Sequence, residues 1–296
     1  MLANAYRAKP DERPLIDQGL LRDVQSLPVL PWLWRQVMGH LDNRWSSLGD
    51  LEGVIRLDHS LSSAVISAAN SSYYGAARRI TTVSRASAVL GLEEVRRLCL
   101  ATGLCQLMDS GDGQQLADSQ ELWRHCLDVA AAAALLARGR RGLDVETAFT
   151  AGLLHDLGKV LLVARFPRAY RVVRHLQARE GLTWLEAEEM LDLDHQELGL
   201  YLAEHWNLPP LLTEVIGRHH HPQAGLSHWP LVALVHLADG LARQEQALAG
   251  ERAAWAGAEE TWQACLAAVG LDRAGLETCR QRFQIERRTR HLGGLE

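Results

Sequence analysis

Five histidines in the second half of the chain, His125, His155, His195, His219 and His220, each fall within or at the end of a segment with helical periodicity. Asp156 follows His155 directly, and Asp239 lies on a late helical segment. Neutral imidazoles and carboxylates together suit first-row divalent metals. A helix bundle can aim side chains from several helices into one cavity. His155 and Asp156, as neighbours on a helix, would diverge by about 100° and share a centre only if an ion lay between their two directions. Glu121 stands four residues before His125, so both lie on one helix face. His236 stands three residues before Asp239 and shares its face. A single histidine is more often a hydrogen-bonded core or surface residue, and only the set points to a metal. His40, His59, His175, His205, His221, His228 and His291 are read as structural, loop or exposed residues.

The elements that must position these groups read as helices throughout, with strand-type alternation nearly absent. Pro31 opens a helix to about Leu41. Leu48, Leu51, Val54 and Ile55 share one face, and Leu61, Val65 and Ala68 repeat the pattern. Two helices flank Gly91, over Ser84–Leu90 and Glu93–Met108. Ser110-Gly-Asp-Gly113 is a short polar boundary. Beyond it an Ala-rich helix runs from about Gln120 to Arg138. Asp144 caps a helix through His155. Thr183 with Glu186 has capping-box spacing, and Asp194 with Glu197 resembles it. Pro209 and Pro210 open a helix reaching His219, and Leu231–Leu241 form the next. Residues after about Ala249 are expected to be peripheral helices and a frayed tail.

The chain has 296 residues, enough for about two domains at roughly 150 residues each. Apolar residues are 47% and charged residues 23%, ordinary globular usage. The net charge is −5 and the pI about 6.2, which argues against a broad nucleic-acid footprint. The pairs Arg78-Arg79, Arg96-Arg97 and Arg140-Arg141, and Arg287-Arg288 with Arg290, are read as solvated faces. The longest apolar run, Val129–Ala137, is far short of the roughly 20 residues that cross a bilayer. The N-terminus lacks the apolar core of a signal peptide. Five cysteines without a CxxC pair read as reduced thiols in a cytoplasm.

Trp123-Arg-His125, Ala151-Gly-Leu-Leu-His-Asp-Leu-Gly-Lys159, Asp194-His195, Arg218-His-His220 and His236-Leu-Ala-Asp239 together resemble the HD superfamily of metal-dependent phosphohydrolases. The first half resembles the HDOD family, through Leu27-Pro-Val-Leu-Pro31, Asp58-His-Ser-Leu-Ser62, Ala69-Asn-Ser-Ser-Tyr-Tyr-Gly75 and Ala86-Ser-Ala-Val-Leu-Gly-Leu92. The resemblance covers about residues 24 to 245. It implies an all-α fold, an N-terminal helical subdomain packed on an HD-like helical bundle. The expected division is an irregular segment 1–23, the N-terminal subdomain 24–112, the metal-site subdomain 113–248 and a C-terminal extension 249–296.

HDOD proteins are output modules of bacterial signal transduction, and most have lost part of the HD metal set. This chain retains it: the resemblance implies metal ligands at His125, His155, Asp156, His195, His219, His220 and Asp239, with Glu121 at an extra ligand position and Lys159 near a substrate phosphate. The cofactor would be one or two divalent ions of the Fe, Mn, Mg or Zn class. Asp156 would bridge two ions, with His125, His155 and Asp239 on one and His195, His219 and His220 on the other. After His220 the chain reads His221-Pro-Gln-Ala-Gly-Leu, without the GYP tripeptide, so cyclic di-GMP hydrolysis is not expected.

The leading reading is a cytoplasmic signalling regulator acting on a protein partner, with Trp32, Trp34, Tyr73 and Tyr74 as its interaction surface and an HD-type metal site retained. The alternative is an active phosphohydrolase for a nucleotide or other phosphoester, with Asp156 and Lys159 at the chemistry. Nucleic-acid binding and membrane association are not expected. Residues 1 to 25 are too few for a receiver domain, so phosphorelay input would come from a separate chain.

Overall fold

A computed structural model of the chain describes residues 48–57, 59–71, 80–108, 113–246 and 259–292. Every regular element among them is an α-helix. In chain order these are α1 (Leu48–Ile55), α2 (His59–Ala69), α3 (Val83–Leu90), α4 (Leu92–Met108), α5 (Gly113–Ala137), α6 (Val145–Leu154), α7 (Leu157–Arg165), α8 (Pro167–Glu180), α9 (Trp184–Leu191), α10 (His195–His205), α11 (Pro210–Arg218), α12 (Trp229–Gln246), α13 (Glu259–Ala268) and α14 (Arg273–Leu292). The expected helix at Pro31, the Tyr73-Tyr74 loop, the aromatics Trp32 and Trp34, and most of the Ser110–Gly113 boundary lie outside the described residues.

Local signals set the helix ends. The Thr82 side chain accepts from Arg85 N, and Asp144 accepts from Thr147 N. Thr183 and Glu186 form the reciprocal capping box. Asp194 accepts from the backbone of Gln196 and Glu197 instead, without the return bond. Two expected boundaries move. Helix α5 starts at Gly113, several residues before Gln120, and α12 runs on to Gln246. Polar residues hid the first extension: Gln115, Asp118 and Ser119 are buried, Asp118 accepting from Gln114 within α5 and the other two bonding across helices. Gln115 donates to the Val163 carbonyl, and Ser119 to that of Met108.

The bundle that matters for function is built on α5. Its Ala130–Ala134 run brings α6 very close: a Cβ on Gly152 would lie 2.9 Å from the Ala130 Cα. Helix α12 packs on another side of α5, and α7 packs on α10. That second contact is closer still. A Cβ on Gly158 would fall 1.8 Å from the His195 carbonyl oxygen, and one on Gly199 would fall 2.9 Å from Gly158 N. One described stretch, Val145–Arg165, is long and apolar enough to cross a bilayer, but it is broken between α6 and α7 and mostly buried in this core.

Helices α1–α4 pack together, and α4 rests on α5, α6 and α7. Arg97 of α4 pairs with Glu146 and lies 5.1 Å over the Phe149 ring, tying the two groups of helices. The C-terminal helices are less peripheral than expected. Phe283 is fully buried, Arg287 donates to buried Asp128 at 2.8 Å, and Arg138 pairs with Glu286. Arg96, Arg97, Arg140 and Arg287 each have an intramolecular acceptor.

The Gly158 contact is backbone against backbone, so a methyl group cannot be absorbed by a rotamer change. Gly158→Ala should lower unfolding stability by about 2–3 kcal/mol, at the upper end of overpacking costs. Urea unfolding checks this; an unchanged midpoint would mean that α7 and α10 do not approach so closely.

Candidate metal centre

Five helical units supply the polar groups. His125 lies midway along α5, His195 is the first residue of α10, His219 and His220 follow the end of α11, and Asp239 lies within α12. His155 and Asp156 occupy the junction between α6 and α7 rather than a continuous helix. Asp156 has φ −95° and ψ 28°, which turns its carboxylate out of the helical path and resolves the expected divergence of neighbouring side chains.

Asp156 is fully buried, and its two oxygens face different histidines. Oδ1 lies 3.3 Å from His195 Nε2 and 3.5 Å from His219 Nε2. Oδ2 lies 3.3 Å from His155 Nε2 and 3.5 Å from His125 Nε2. Asp239 closes the second side, with Oδ1 3.2 Å from His125 Nε2 and 3.9 Å from His155 Nε2. Its Oδ2 is 3.9 Å from His220 Nδ1. Three donor groups among the described residues have ligand atoms within 4.8 Å of one another, and two share Asp156: Asp156 with His195, His219 and His220, and Asp156 with His125 and His155; the third is Glu188 with Asp194 and His195.

The outer ring nitrogens fix how the inner ones behave. His155 Nδ1 donates to the Gly152 carbonyl at 2.8 Å. His219 Nδ1 is 3.1 Å from the Ile216 carbonyl, and His195 Nδ1 donates to Glu188 Oε2 at 2.6 Å. Each bond places the proton on Nδ1, leaving a neutral ring with a lone pair on Nε2. Those lone pairs point at carboxylate oxygens, acceptor against acceptor. The Nε2 atoms of His155, His195, His219 and His220, and Asp156 Oδ1, are buried without a hydrogen-bond partner among the described residues. A cation between them would satisfy all of these atoms, so the donor set fits a divalent metal with nitrogen and oxygen ligands.

Protonation follows the same pattern. Burial pushes His219 down to about 3 against the pull of Asp156, so its imidazole stays neutral. Burial, then the neighbouring His219 and His195, hold His220 well below the usual range. Burial opposes ionisation of Asp156, but the imidazoles facing it, His155 first, and the Lys159 ammonium prevail and hold it well below the carboxylate range. Asp239 is likewise held down against burial, chiefly by Arg243. His125 and His195 are raised despite burial by the carboxylates that face them, Asp156 and Asp239 for the first and Asp156 and Glu188 for the second.

Lys159 joins the centre but is held rather than mobile. Its Nζ donates to Asp156 Oδ2 at 2.7 Å and lies 4.8 Å over the Trp184 ring. Glu121 is not brought in. Its side chain is 55% exposed, and both its oxygens accept from Arg174 Nη2 at 2.6 Å. One turn along α5 carries it toward α8, where an arginine captures it. His236 faces the backbone instead, with Nδ1 donating to the His219 carbonyl at 2.8 Å. Two participants had no reading from sequence. Glu188, on α9, accepts from both the backbone and the ring of His195; the two stand on different helices, so their spacing does not reveal the contact. Arg243 donates to Asp239 Oδ1 at 2.8 Å, and its i,i+4 spacing from Asp239 was the available signal.

The HDOD domain family model matches residues 27–222 of this chain. The chain belongs to the HDOD family. Three solved structures share the HDOD fold. A Geobacter sulfurreducens HDOD domain protein of unknown function is 25% identical with a TM-score of 0.75, covering 94% of this chain and 97% of that one. A Shewanella amazonensis protein, provisionally named a phosphohydrolase, is 25% identical at TM-score 0.67, covering 95% and 97%. A Marinobacter aquaeolei protein, provisionally named a signal transduction protein, is 27% identical at TM-score 0.71, covering 99% of this chain and 64% of that one. An uncharacterized Treponema pallidum protein is 26% identical over 220 residues, which make up 73% of this chain but only 42% of that longer protein.

Two substitutions separate ligand from support. Asp156→Ala removes the oxygens facing both histidine groups, so bound metal should fall below a tenth of the wild-type content by elemental analysis; near-wild-type loading would refute the shared-carboxylate arrangement. Glu188→Gln keeps the shape but loses the charge orienting His195. It should weaken metal affinity about 10- to 100-fold in a chelator competition, and unchanged affinity would make Glu188 a packing residue.

Proposed function

We propose that this HDOD protein is a metal-dependent phosphohydrolase working in signal transduction. The observation that carries the reading is the two-sided environment of Asp156, each oxygen facing its own pair of imidazole Nε2 atoms. His125, His155 and Asp239 would hold one divalent ion, and His195, His219 and His220 a second, with Asp156 shared. Ions so held would lower the pKa of a bound water and neutralise charge developing on phosphoryl oxygens.

The chain's own groups have separable tasks. Glu188 and the Gly152 and Ile216 carbonyls fix the tautomers of His195, His155 and His219. Lys159 uses one of its three N–H donors on Asp156 and keeps others for a phosphate oxygen. Trp184 holds the ammonium in place from its ring face. The buried setting keeps bulk water from competing for these donors. The substrate class is a nucleotide or other phosphoester. The provisional names of the Shewanella and Marinobacter relatives support the two halves of the reading, hydrolase chemistry and signalling. In this reading residues 113–248 form the metal subdomain and 24–112 the subdomain that meets a protein partner.

A second reading has its own support. Among the groups facing Asp156, His125 has the most exposed side chain, at only 11%. A centre so enclosed also suits a regulator that keeps its ion as a staple and acts through partner binding.

Hydrolysis of bis(p-nitrophenyl) phosphate and a nucleotide panel by Mn-loaded protein tests the proposal. Turnover should stop with chelator, and Lys159→Met should lower kcat tenfold or more with metal content retained. Fully loaded protein that turns over none of these would leave the partner-binding reading.

A further inference from the structure

Arg243 carries hydrogen-bonding capacity that the ligand arrangement leaves unspent. It stands one turn beyond Asp239 on α12 and donates from Nε to Asp239 Oδ1 at 2.8 Å. That same oxygen lies 3.2 Å from His125 Nε2, so the guanidinium sits at the edge of the ion-facing cluster. Its Nη2 is buried and has no hydrogen-bond partner among the described residues. The side chain as a whole is 36% exposed, much more than the Asp239 side chain at 6%. Arg243 therefore reaches from the buried centre toward solvent, with unused donors on the inner side.

Neutralising Asp239 does not account for this geometry. A single Nε contact uses one of five N–H donors, and leaving a buried donor unmatched is costly. The planar fork of an arginine matches phosphate oxygens, and such charge-assisted pairs are roughly twice as strong as neutral ones. Lys159 contacts the opposite carboxylate of the pair, at Asp156 Oδ2. Two cations thus bracket the cluster, one buried on Asp156 and one at the rim on Asp239.

We propose that Arg243 binds the phosphoryl oxygens of the ligand, as the rim-side counterpart of Lys159. The ligand class is a phosphate monoester or diester whose non-bridging oxygens reach past the ions to the guanidinium. This rests on the phosphohydrolase reading above, and the experiment separates the two.

Inorganic phosphate is titrated into Mn-loaded protein by calorimetry, with metal content measured on the same samples. Wild-type protein should bind phosphate. Arg243→Gln should keep its metal stoichiometry and bind phosphate roughly 10- to 100-fold more weakly. Arg243→Lys, which retains charge without the fork, should recover part of the loss. With any substrate that turns over, Arg243→Gln should raise KM more than it lowers kcat. Phosphate affinity in Arg243→Gln within twofold of wild type overturns the proposal and leaves the phosphohydrolase reading intact. Loss of metal in both variants also overturns it, making Arg243 a support for Asp239. Metal-loaded wild type that binds no phosphate overturns both readings together.

Discussion

A fully buried carboxylate surrounded by imidazole lone pairs is the constraint on which the rest of this structure depends. Asp156 has no access to solvent, and ionisation in such a place is tolerable only with compensating cations or donors. Lys159 supplies one such donor, at Oδ2. On the Oδ1 side, His195 and His219 present nitrogens whose protons are committed to Glu188 and to backbone carbonyls. Two negative ends facing each other at 3.3–3.5 Å form an arrangement that a bound divalent cation would make favourable.

Much of the fold can be understood as what it takes to bring these groups so close. The α6–α7 break lets His155 and Asp156 point to one place although they are sequence neighbours. Gly158 and Gly199 let α7 and α10 touch backbone to backbone, which sets His195 against Asp156. Gly152 against Ala130 does the same for α5 and α6, placing His125 beside His155. Each close approach uses the absence of a side chain to position another one, a recurrent trade in packed helical cores. The α14 anchor on Asp128 braces the far side of α5.

The helical class and most helix boundaries were legible because caps and apolar spacing act locally. Asp144, Thr183 and Asp194 start helices through contacts within three residues. Seven of the eight metal-site positions expected from sequence do converge, since the motif order carried the resemblance. Glu121 was not separable from them by spacing, because the competing partner, Arg174, lies on a different helix. The break at Asp156 left no local signature, as no proline or glycine stands at or just before it. Glu188 and Arg243 were missed for a related reason: supporting groups are chosen by three-dimensional reach, and motif strings record the ligands rather than what orients them.

Anomalous diffraction from crystals of Mn- or Zn-loaded protein, collected at the metal edge, tests the central claim most directly. The account predicts two peaks flanking the Asp156 carboxylate, about 3.5–4 Å apart, one beside His125, His155 and Asp239 and the other beside His195, His219 and His220. Fully loaded protein with its metal elsewhere, or no peak within reach of Asp156, would contradict it.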